Sequence, residues 1–530
     1  MHRSSRLLLA AVFAGTIGAA EAATPKDTLV MAWNIDNVIS FDPAQIGETT
    51  TNEIFNNICD PLLLMDYTDS KKLIPGVAES WSIAPDGMTW TFKIRKGLKH
   101  PSGNPVTAAD AAWSMQRTIK LNLGAVANIA QWGISKENVD DKIKALGEDT
   151  LTVTFDKPYP ESILGPALFV DQNAAALDMK EIMTHAQGED MGNTWLKTNT
   201  ACVGPYHLRT WNANDTIILE RNEGYWRGDS PIRRVIIRHV TESAAERLLL
   251  EKGDVDIARL LNPTDLAAIA DNKEMRVVTS PRGQYYYMTL NNADPILGNP
   301  KVRLALRYLV DYEALQKTVM RFEGTARNSP IPLGAFGALS KEAGQPFKLD
   351  LAKAKQLLTE AGYPDGFSKE FAIGNTFPYT DLAQHIQANA EKVGVKLNIN
   401  QMAYSQVVAK HRGRNFEVVM TAWAVFYPDA HGMAETLAYN PDNRTESRKV
   451  QYPTWRATWS DEWFNDTVQK ALLEKDQAKR TEMYAEIQRR HMQEGPFVIL
   501  FQTNRNVAVH NQVKDIKTNN DRIWYATAVK

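Results

Sequence analysis

Residues 75–99 read PGVAESWSIAPDGMTWTFKIRKGLK and contain two short strand-like runs separated by Pro85-Asp86-Gly87. An Asp-Gly pair favours a tight turn between antiparallel strands. In the second run, Trp90, Phe92 and Ile94 alternate with polar or charged residues, which places all three on one face of a strand. The stretch therefore predicts a β-hairpin with one buried face.

Helix and strand patterns alternate through the rest of the chain. Thr107 and Asp110 have the spacing of a capping box, which predicts a helix through Met115. Asp350 precedes apolar residues at helical spacing, and Gly362 ends that pattern. Strand-like alternation occurs at two further places, residues 395–399 and 416–420. This mixed order favours an α/β protein over a β-sandwich or a helix bundle.

Length and charge narrow the class of protein. The chain has 530 residues, with 60 Lys and Arg against 62 Asp and Glu, and a formal net charge of -2. This length corresponds to about three to four domain-sized units. The near-neutral balance argues against a nucleic-acid-binding protein, which would carry a basic patch.

The first residues predict export. Arg3 and Arg6 precede the apolar run 7–20, and Ala20-Glu21-Ala22 forms a small-x-small cleavage site. We predict a signal peptide over residues 1–22, a periplasmic location and a mature chain without a membrane-inserted segment. No cysteine follows the apolar run, which argues against a lipid anchor. The alternative for this run is a buried N-terminal helix.

Two cysteines, Cys59 and Cys202, are too few for a disulfide scaffold or a four-thiolate zinc site. Export would place them in an oxidising compartment, where a pair can form a disulfide. The alternative is two buried thiols that pack as small apolar groups.

The motifs of common enzymes are missing from the sequence. There is no Gly-x-Ser-x-Gly elbow, no phosphate-binding Gly-rich loop and no His-x-x-x-His pair. We predict no catalytic residue, no cofactor and no local metal site. A long-range metal site that combines His411 with His431 stays open as an alternative.

The stretch 75–99 also resembles a signature of the solute-binding proteins of peptide/nickel-type ABC importers, known as family 5. Further blocks resemble the family in the expected order: Phe41-Asp42-Pro43, Gly204-Pro205-Tyr206, residues 253–257, residues 302–306, residues 350–366 and residues 416–429. The resemblance covers essentially the whole mature chain.

This resemblance implies a two-lobed periplasmic-binding-protein fold of the α/β class, with an enlarged first lobe and a strand-type hinge. Lobe I would comprise residues 23–290, including an extra subdomain at about 70–200, and residues 502–530. Lobe II would comprise residues 291–501. By position, the chain would cross the hinge at Tyr285 to Asn292 and at Ile499 to Asn506.

The resemblance also implies a function without chemistry on the solute. Such a receptor closes on its ligand and presents the closed state to the membrane permease subunits of an ABC importer. We expect a monomer that binds a peptide or a peptide-like solute. A sensory binding protein of the same fold without import is an alternative, and an exported hydrolase is a third possibility that no nucleophile–base spacing supports.

In peptide-binding relatives, a segment Gly-Trp-x-x-Asp followed by Pro-Asp lines the cleft, and its first Asp holds the α-ammonium of the peptide. Here Trp423 and Asp429 match the segment, but Phe426 stands at the position of the ammonium-binding Asp. Either Asp429 or another acid binds the amine, or the ligand lacks a free α-ammonium. The second class includes acylated peptides, opine-like, sugar-derived or aromatic compounds and metal chelates.

Other candidates surround this segment. Tyr427 follows it directly, and Tyr285 and Tyr286 lie at the expected hinge. These aromatic residues favour an apolar or planar ligand surface, with ordinary core packing as the alternative. Arg412 and Arg414 lie just upstream, where some relatives place a basic group for a peptide carboxylate, although loop arginines are also commonly solvated.

Overall fold

The computed structural model describes residues 24–69, 72–425, 427–519 and 522–530. The predicted signal peptide, residues 1–22, lies outside the described residues. Within these ranges, no helix combines the length and the apolar composition needed to cross a membrane.

The strands, in chain order, are β1 (Thr28–Trp33), β2 (Leu63–Met65), β3 (Leu73–Pro75), β4 (Ala78–Ile83), β5 (Thr89–Ile94), β6 (Ile143–Ala145), β7 (Thr150–Thr154), β8 (Tyr206–Asn212), β9 (Thr216–Arg221), β10 (Arg234–His239), β11 (Ile257–Ala258), β12 (Met275–Leu290), β13 (Gly324–Ala326), β14 (Ser368–Gly374), β15 (Lys396–Met402), β16 (Val418–Ala424), β17 (Phe497–His510), β18 (Asp515–Asn519) and β19 (Arg522–Val529).

The α-helices are α1 (Thr49–Asn56), α2 (Ala108–Leu121), α3 (Val126–Ala130), α4 (Val139–Lys142), α5 (Glu161–Leu164), α6 (Met179–Thr184), α7 (Asn193–Leu196), α8 (Ser243–Glu251), α9 (Pro263–Ala270), α10 (Pro300–Arg307), α11 (Tyr312–Lys317), α12 (Leu351–Glu360), α13 (Tyr379–Glu391), α14 (Tyr404–Arg412), α15 (Ala430–Ala438), α16 (Pro453–Arg456), α17 (Glu462–Leu473) and α18 (Gln477–Glu494). Short 3-10 or π turns occur at Gly165–Phe169, Gln172–Ala174 and Thr445–Ser447.

The hairpin predicted from residues 75–99 is confirmed. Strands β4 and β5 pair antiparallel, with Trp81 opposite Phe92 and Ile83 opposite Trp90. Trp90 and Phe92 are fully buried. The hairpin forms a four-stranded sheet with β6 and β7 in the order β4-β5-β7-β6. This sheet and helix α2 build a subdomain with its own buried core, which we call the inserted subdomain.

The two helix starts predicted from capping residues are also confirmed. The Thr107 hydroxyl accepts a hydrogen bond from the backbone N–H of Asp110, and the Asp110 carboxylate accepts one from the Thr107 N–H. The Asp350 carboxylate accepts a bond of 2.8 Å from the Lys353 N–H. Each bond satisfies a backbone N–H that has no partner within the helix.

A large mixed sheet runs through the molecule in the order β15-β14-β16-β12-β17-β11-β1-β10-β9-β8, with β13 paired to β17. We call the half that contains β1 and β8 to β11 lobe I and the half that contains β14 to β16 lobe II. Both lobes and the inserted subdomain have separate buried clusters. The protein is therefore a two-lobed α/β protein.

Two long strands, β12 and β17, connect the lobes. The first part of β12 pairs with the last part of β17, and the pairing is interrupted between Pro281 and Tyr285. Gly283 lies in this interruption, and a side chain there would meet the Val425 carbonyl oxygen at 2.7 Å. The strands therefore change register where they pass from one lobe to the other.

A disulfide joins Cys59 to Cys202, whose Cα atoms are 5.3 Å apart. Both residues lie in the buried cluster of lobe I. The bond closes a segment of the chain that includes the inserted subdomain, so it restrains the two ends of this insertion.

Candidate ligand-binding site

A cavity of about 860 Å³ lies between the lobes and the connecting strands. This volume is within the range of small-molecule sites. From lobe I, the loops after β1 and β11 line it, and from the other side Glu323 and Phe377 do. Arg282 and residues 504–506 of the connecting strands complete the wall.

The lobe I wall contains a buried ion-pair network. Arg259 donates hydrogen bonds of 2.6 and 2.8 Å to the two carboxylate oxygens of Glu53. Arg505 approaches the same carboxylate at 3.3 Å, and the Tyr525 hydroxyl donates to it at 2.9 Å. The Arg259 guanidinium also lies 3.8 Å from the centre of the Trp33 ring. The Glu53 carboxylate therefore compensates one of the two positive charges of this network.

Burial alone would raise the pKa of Glu53, but the charges of Arg259 and Arg505 outweigh this effect and hold the pKa below its usual range. The carboxylate stays ionised, and the network remains charged and paired over the ordinary pH range.

Two acidic residues, Glu323 and Asp36, line the cavity. Among the described residues, neither Glu323 nor Asp36 forms an ion pair through its carboxylate. Burial raises the pKa of Glu323. An incoming ammonium group would favour the ionised form and form a charge-assisted hydrogen bond with it. These two acids are the open anionic groups of the cavity.

Of the two hinge tyrosines, one is placed in the core. Tyr285 is fully buried in a lobe II cluster, which favours the core-packing alternative, and its role as a ligand-binding residue stays a prediction. Tyr286 points to the other face, where it is half-buried and contacts Tyr379 edge-on at 5.5 Å. Burial and the nearby charge of Glu323 raise the pKa of Tyr286 to about 12. Only Tyr286 is thus close to the charged groups of the cavity.

Trp423, at the end of β16, lies directly opposite Tyr285 on β12. Its side chain is half-buried, and its indole Nε1 is a buried donor without a partner among the described residues. The ring therefore has one side on the lobe II core and a polar edge that the fold leaves unsatisfied.

The structure gives Asp429 a different role from the predicted one. Its carboxylate receives two hydrogen bonds of 2.8 Å from Arg480 and one of 2.7 Å from the Ser162 hydroxyl. It also caps helix α15 through the His431 N–H. These bonds occupy both oxygens of a fully buried group, so Asp429 forms a structural ion pair here, and its binding of a ligand amine stays a prediction.

The Ser162 bond is notable because Ser162 belongs to the inserted subdomain and Asp429 to lobe II. Tyr427 contacts the same subdomain, packing against its buried cluster. Burial, followed by the charge of Glu435, raises the pKa of Tyr427 above its usual range. Tyr427 thus contributes to a contact between the subdomain and lobe II.

The two predicted arginines are placed apart. Arg412 is exposed at the end of α14. Arg414 donates two hydrogen bonds of 2.9 Å to Asn443 and lies 3.6 Å over the Trp455 ring. The fold therefore holds Arg414 in place, and binding of a ligand carboxylate by Arg412 or Arg414 stays a prediction. Phe426 lies outside the described residues.

Three side chains of the cavity and its surroundings were missed in the sequence. Arg259 follows the block 253–257 by two residues, and this position beside a family motif could have indicated it as a site residue. Glu323 lies in a short connection before β13 that carries no motif. Arg480 is one of many charged residues on α18, and its partner is 51 residues away.

In the described part of the chain, one group of three side chains is arranged as a metal site could be: His100, Asp110 and Asp178, all buried. Both carboxylates already cap helices, Asp110 for α2 and Asp178 for α6. His411 and His431 belong to no such group among these residues.

Comparison with known proteins identifies the family. The family model of bacterial extracellular solute-binding proteins, family 5 (middle) matches residues 72–445, more than half of the chain. The chain is 26% identical over 522 residues to a probable D,D-dipeptide-binding periplasmic protein of Escherichia coli, covering 96% of this chain and 94% of the relative. It is 26% identical over 516 residues to a glutathione-binding protein of Salmonella choleraesuis, covering 95% and 94%.

A solved structure agrees in fold. The structure of HbpA2 from Haemophilus parasuis superimposes with a TM-score of 0.81 at 22% identity, covering 95% of this chain and 100% of the other. The family match and the shared two-lobed architecture lead to one conclusion. This chain is a member of the bacterial extracellular solute-binding proteins, family 5.

Proposed function

We propose that this protein is the periplasmic receptor of an ABC importer and binds short peptides or peptide-like solutes between its lobes. Family membership, shown by the match over residues 72–445, carries the proposal. The cavity of about 860 Å³ supports it, because its size suits a short peptide and its wall comes from both lobes and their connection.

We infer lobe boundaries close to those expected from sequence: residues 23–290 and 502–530 for lobe I, and 291–501 for lobe II. The separate buried clusters of the two sheet halves support this division. A ligand that contacts both lobes stabilises the closed state by its difference in affinity for the two states. The membrane permease subunits would then recognise the closed monomer.

A free amino terminus would bind Glu323, with Asp36 as the second acid of the cavity. This assignment replaces Asp429, whose carboxylate is occupied by Arg480. It also accounts for Phe426, since the ammonium partner would come from the connection before β13 and not from the segment after β16.

Isothermal titration with dipeptides, tripeptides and glutathione, each compared with its N-acetylated form, tests this function. We expect free-amine peptides to bind at least about tenfold more tightly, since loss of a charge-assisted hydrogen bond costs roughly 1.5–3 kcal/mol. In Glu323→Gln this preference should disappear, while the matched exposed variant Glu313→Gln should retain it.

Three results would contradict parts of the proposal. Equal binding of free and blocked peptides would move the ligand to the class without an α-ammonium. Binding of no peptide at all would refute the peptide function. A normal ligand affinity without ligand-dependent uptake in cells that carry the cognate permease would favour the sensory role over import.

A further inference from the structure

His100 lies in the connection between β5 and α2 of the inserted subdomain. Only 3% of the residue is exposed, and both ring nitrogens are buried without a hydrogen-bond partner among the described residues. A neutral imidazole has one N–H donor and one acceptor nitrogen, and burial of either without a partner costs free energy. The ring therefore has polar atoms that the fold itself does not use.

Two acidic side chains lie beside this ring. Asp110 belongs to the first turn of α2, and its Oδ2 is 3.8 Å from the His100 Nε2, which is longer than a hydrogen bond. Asp178 lies at the start of α6. One ligand atom from each of the three residues lies within 4.8 Å of the others. Zinc bonds of about 2.0–2.2 Å place the ligand atoms of a tetrahedral site roughly 3.4 Å apart, so a small contraction would bring the three atoms to bonding distance.

The two carboxylates carry negative charge into a buried place. In the described ranges of the chain, no Lys or Arg forms an ion pair with Asp110 or Asp178, and both residues are buried. Asp178 accepts hydrogen bonds from the Ser102 hydroxyl and the Asn104 amide, which is the pattern of an ionised carboxylate. Buried charges are normally paired or coordinate a metal. A bound cation, or a proton on His100, would compensate for the two acids.

The capping bonds leave a position for a cation. The Thr107 backbone N–H and hydroxyl both donate to Oδ2 of Asp110, at 2.9 and 2.6 Å. Its Oδ1 accepts one bond of 3.2 Å, from the Met179 N–H, within the described part of the chain. Since each carboxylate oxygen has about two acceptor positions, Oδ1 can bind a cation while α2 remains capped.

A tight turn over residues 100–104 covers the three side chains. The His100 N–H donates to the Asn104 carbonyl oxygen at 2.9 Å, and the Gly103 N–H donates to the His100 carbonyl oxygen at 2.8 Å. Ser102 and Asn104 reach from this turn to Asp178. Residues 101–103 are exposed. The three side chains therefore lie one turn below the surface, and movement of this turn gives a cation access to them.

We propose that His100, Asp110 and Asp178 form a structural site for a divalent transition cation, with Zn²⁺ as the best match. One imidazole nitrogen and two carboxylate oxygens are ligands that Zn²⁺ accepts, whereas Ca²⁺ and Mg²⁺ prefer sites made of oxygen atoms. None of the three is among the described residues that line the cavity between the lobes. The site goes beyond solute binding: the cation joins the start of α2 to the start of α6.

Calorimetric titration of the purified, chelator-treated protein with Zn²⁺ tests this site. We expect one Zn²⁺ per chain, bound at least about 100-fold more tightly than Ca²⁺ or Mg²⁺. His100→Gln and Asp110→Asn, which keep polar side chains of similar size, should each weaken Zn²⁺ binding at least tenfold. His185→Gln is the matched control, because His185 lies near Glu181 in the same subdomain but is partly exposed and outside the site. Its Zn²⁺ affinity should equal that of the wild type.

Thermal unfolding shows whether the variants fold and whether the cation stabilises the protein. With chelator present, His100→Gln should melt close to the wild type. Zn²⁺ at 100 times its dissociation constant should raise the melting temperature of wild type and His185→Gln by roughly 2 °C, and leave that of His100→Gln unchanged. An equal rise in all three proteins would overturn the proposal.

Anomalous scattering at the zinc absorption edge locates the ion in crystals of the wild type, so this measurement does not depend on the folding of a variant. We expect one peak about 2.0–2.2 Å from a ring nitrogen of His100 and from an oxygen of each acid. A peak at other residues, binding of Ca²⁺ as tight as that of Zn²⁺, or unchanged Zn²⁺ affinity in His100→Gln would overturn the site. Absence of Zn²⁺ binding at neutral pH would also overturn it, and would favour a protonated His100 as the partner of the two acids.

Discussion

Arg259 in lobe I and Arg456 in lobe II are both buried arginines beside an aromatic ring, but only one of them is paired. Arg259 contacts Trp33 and shares the Glu53 carboxylate with Arg505, whereas Arg456 contacts Trp423 and has no acidic partner among the described residues. Burial of a charge is tolerated when a partner compensates for it. The difference separates an arginine of lobe I that shares a carboxylate from an arginine of lobe II whose terminal nitrogens have no hydrogen-bond partner among the described residues.

The largest expected effect comes from breaking the lobe I pair. In Glu53→Gln, Arg259 and Arg505 lose their shared counter-charge in a buried site. We expect the free energy of unfolding, measured in urea, to fall by roughly 3–5 kcal/mol. Glu313→Gln is the matched control, because its pair with Lys317 is exposed and should contribute less than about 0.5 kcal/mol. Equal losses in both variants would show that the buried pair contributes no more to the free energy of unfolding than the exposed pair does.

The pH dependence of unfolding offers a second contrast between the lobes. In lobe II, burial and the charge of Arg307 lower the pKa of His491 to about 3. The unfolded chain binds a proton below about pH 6.5, while the folded protein does not. The stability that the neutral ring contributes is therefore lost as the pH falls from about 6.5 towards 3.

In His491→Gln, the free energy of unfolding should fall less steeply as the pH decreases, by roughly 1 kcal/mol per pH unit below pH 6. The measurement is the urea-unfolding free energy at pH 5, 6 and 7.5. A slope that is the same in wild type and variant would show that His491 titrates normally in the folded protein.

In lobe I, Asp60 should act with the opposite sign. Burial raises its pKa to about 6, although Tyr225 and Trp226 donate hydrogen bonds of 2.7 and 2.8 Å to its carboxylate. The contribution of Asp60 to the free energy of unfolding is complete below about pH 3.8 and is lost as the pH rises through 6. The free energy of unfolding of Asp60→Asn, compared with that of the wild type, should therefore rise by roughly 1 kcal/mol per pH unit between pH 4 and 6. A relative loss over this interval would contradict the assignment.

Trp423→Ala tests the predicted role of Trp423 in ligand binding. We expect peptide affinity, measured by calorimetry, to weaken by at least about 1 kcal/mol, as for a desolvated aromatic anchor, with the fold retained. Tyr285→Phe is the control, because Tyr285 is a fully buried core residue. An unchanged affinity in Trp423→Ala would place Trp423 in the core as well.

The most local prediction concerns the contact between the inserted subdomain and lobe II. Ser162→Ala removes the hydrogen bond to Asp429 and the bond of 3.0 Å that the Ser162 hydroxyl accepts from Arg480, but it leaves the pair of Arg480 with Asp429. Loss of these bonds to charged groups predicts a decrease of about 1.5–3 kcal/mol in unfolding free energy. Ser162→Thr, which keeps a hydroxyl, should lose less; equal losses would indicate an effect of packing instead.

The sequence predicted what depends on neighbouring residues. The Asp86-Gly87 turn, the Thr107–Asp110 capping box and the helix that begins after Asp350 each follow from groups within a few positions of one another. Tyr285 and Tyr286 were both candidates for ligand binding, and the sequence did not indicate which of them faces the core. That depends on the strands that pair with β12.

The charged site could not be predicted in the same way. From the sequence, Asp429 was a candidate for binding the ligand amine. The sequence did not indicate its partners, Arg480 and Ser162, because they are 51 and 267 residues away. Arg480 lies in no recognisable motif, and its role in the structure comes from its contact with the distant Asp429. Such pairing is a property of tertiary packing, and similar residues on a helix face are otherwise commonly solvated.

A crystal structure with the tightest-binding dipeptide of the titration panel tests the proposed binding mode most directly. We predict that the α-ammonium of the peptide lies about 2.8 Å from the Glu323 carboxylate, while Arg259 keeps its bonds to Glu53. A peptide whose α-ammonium contacts neither Glu323 nor Asp36 would contradict the account.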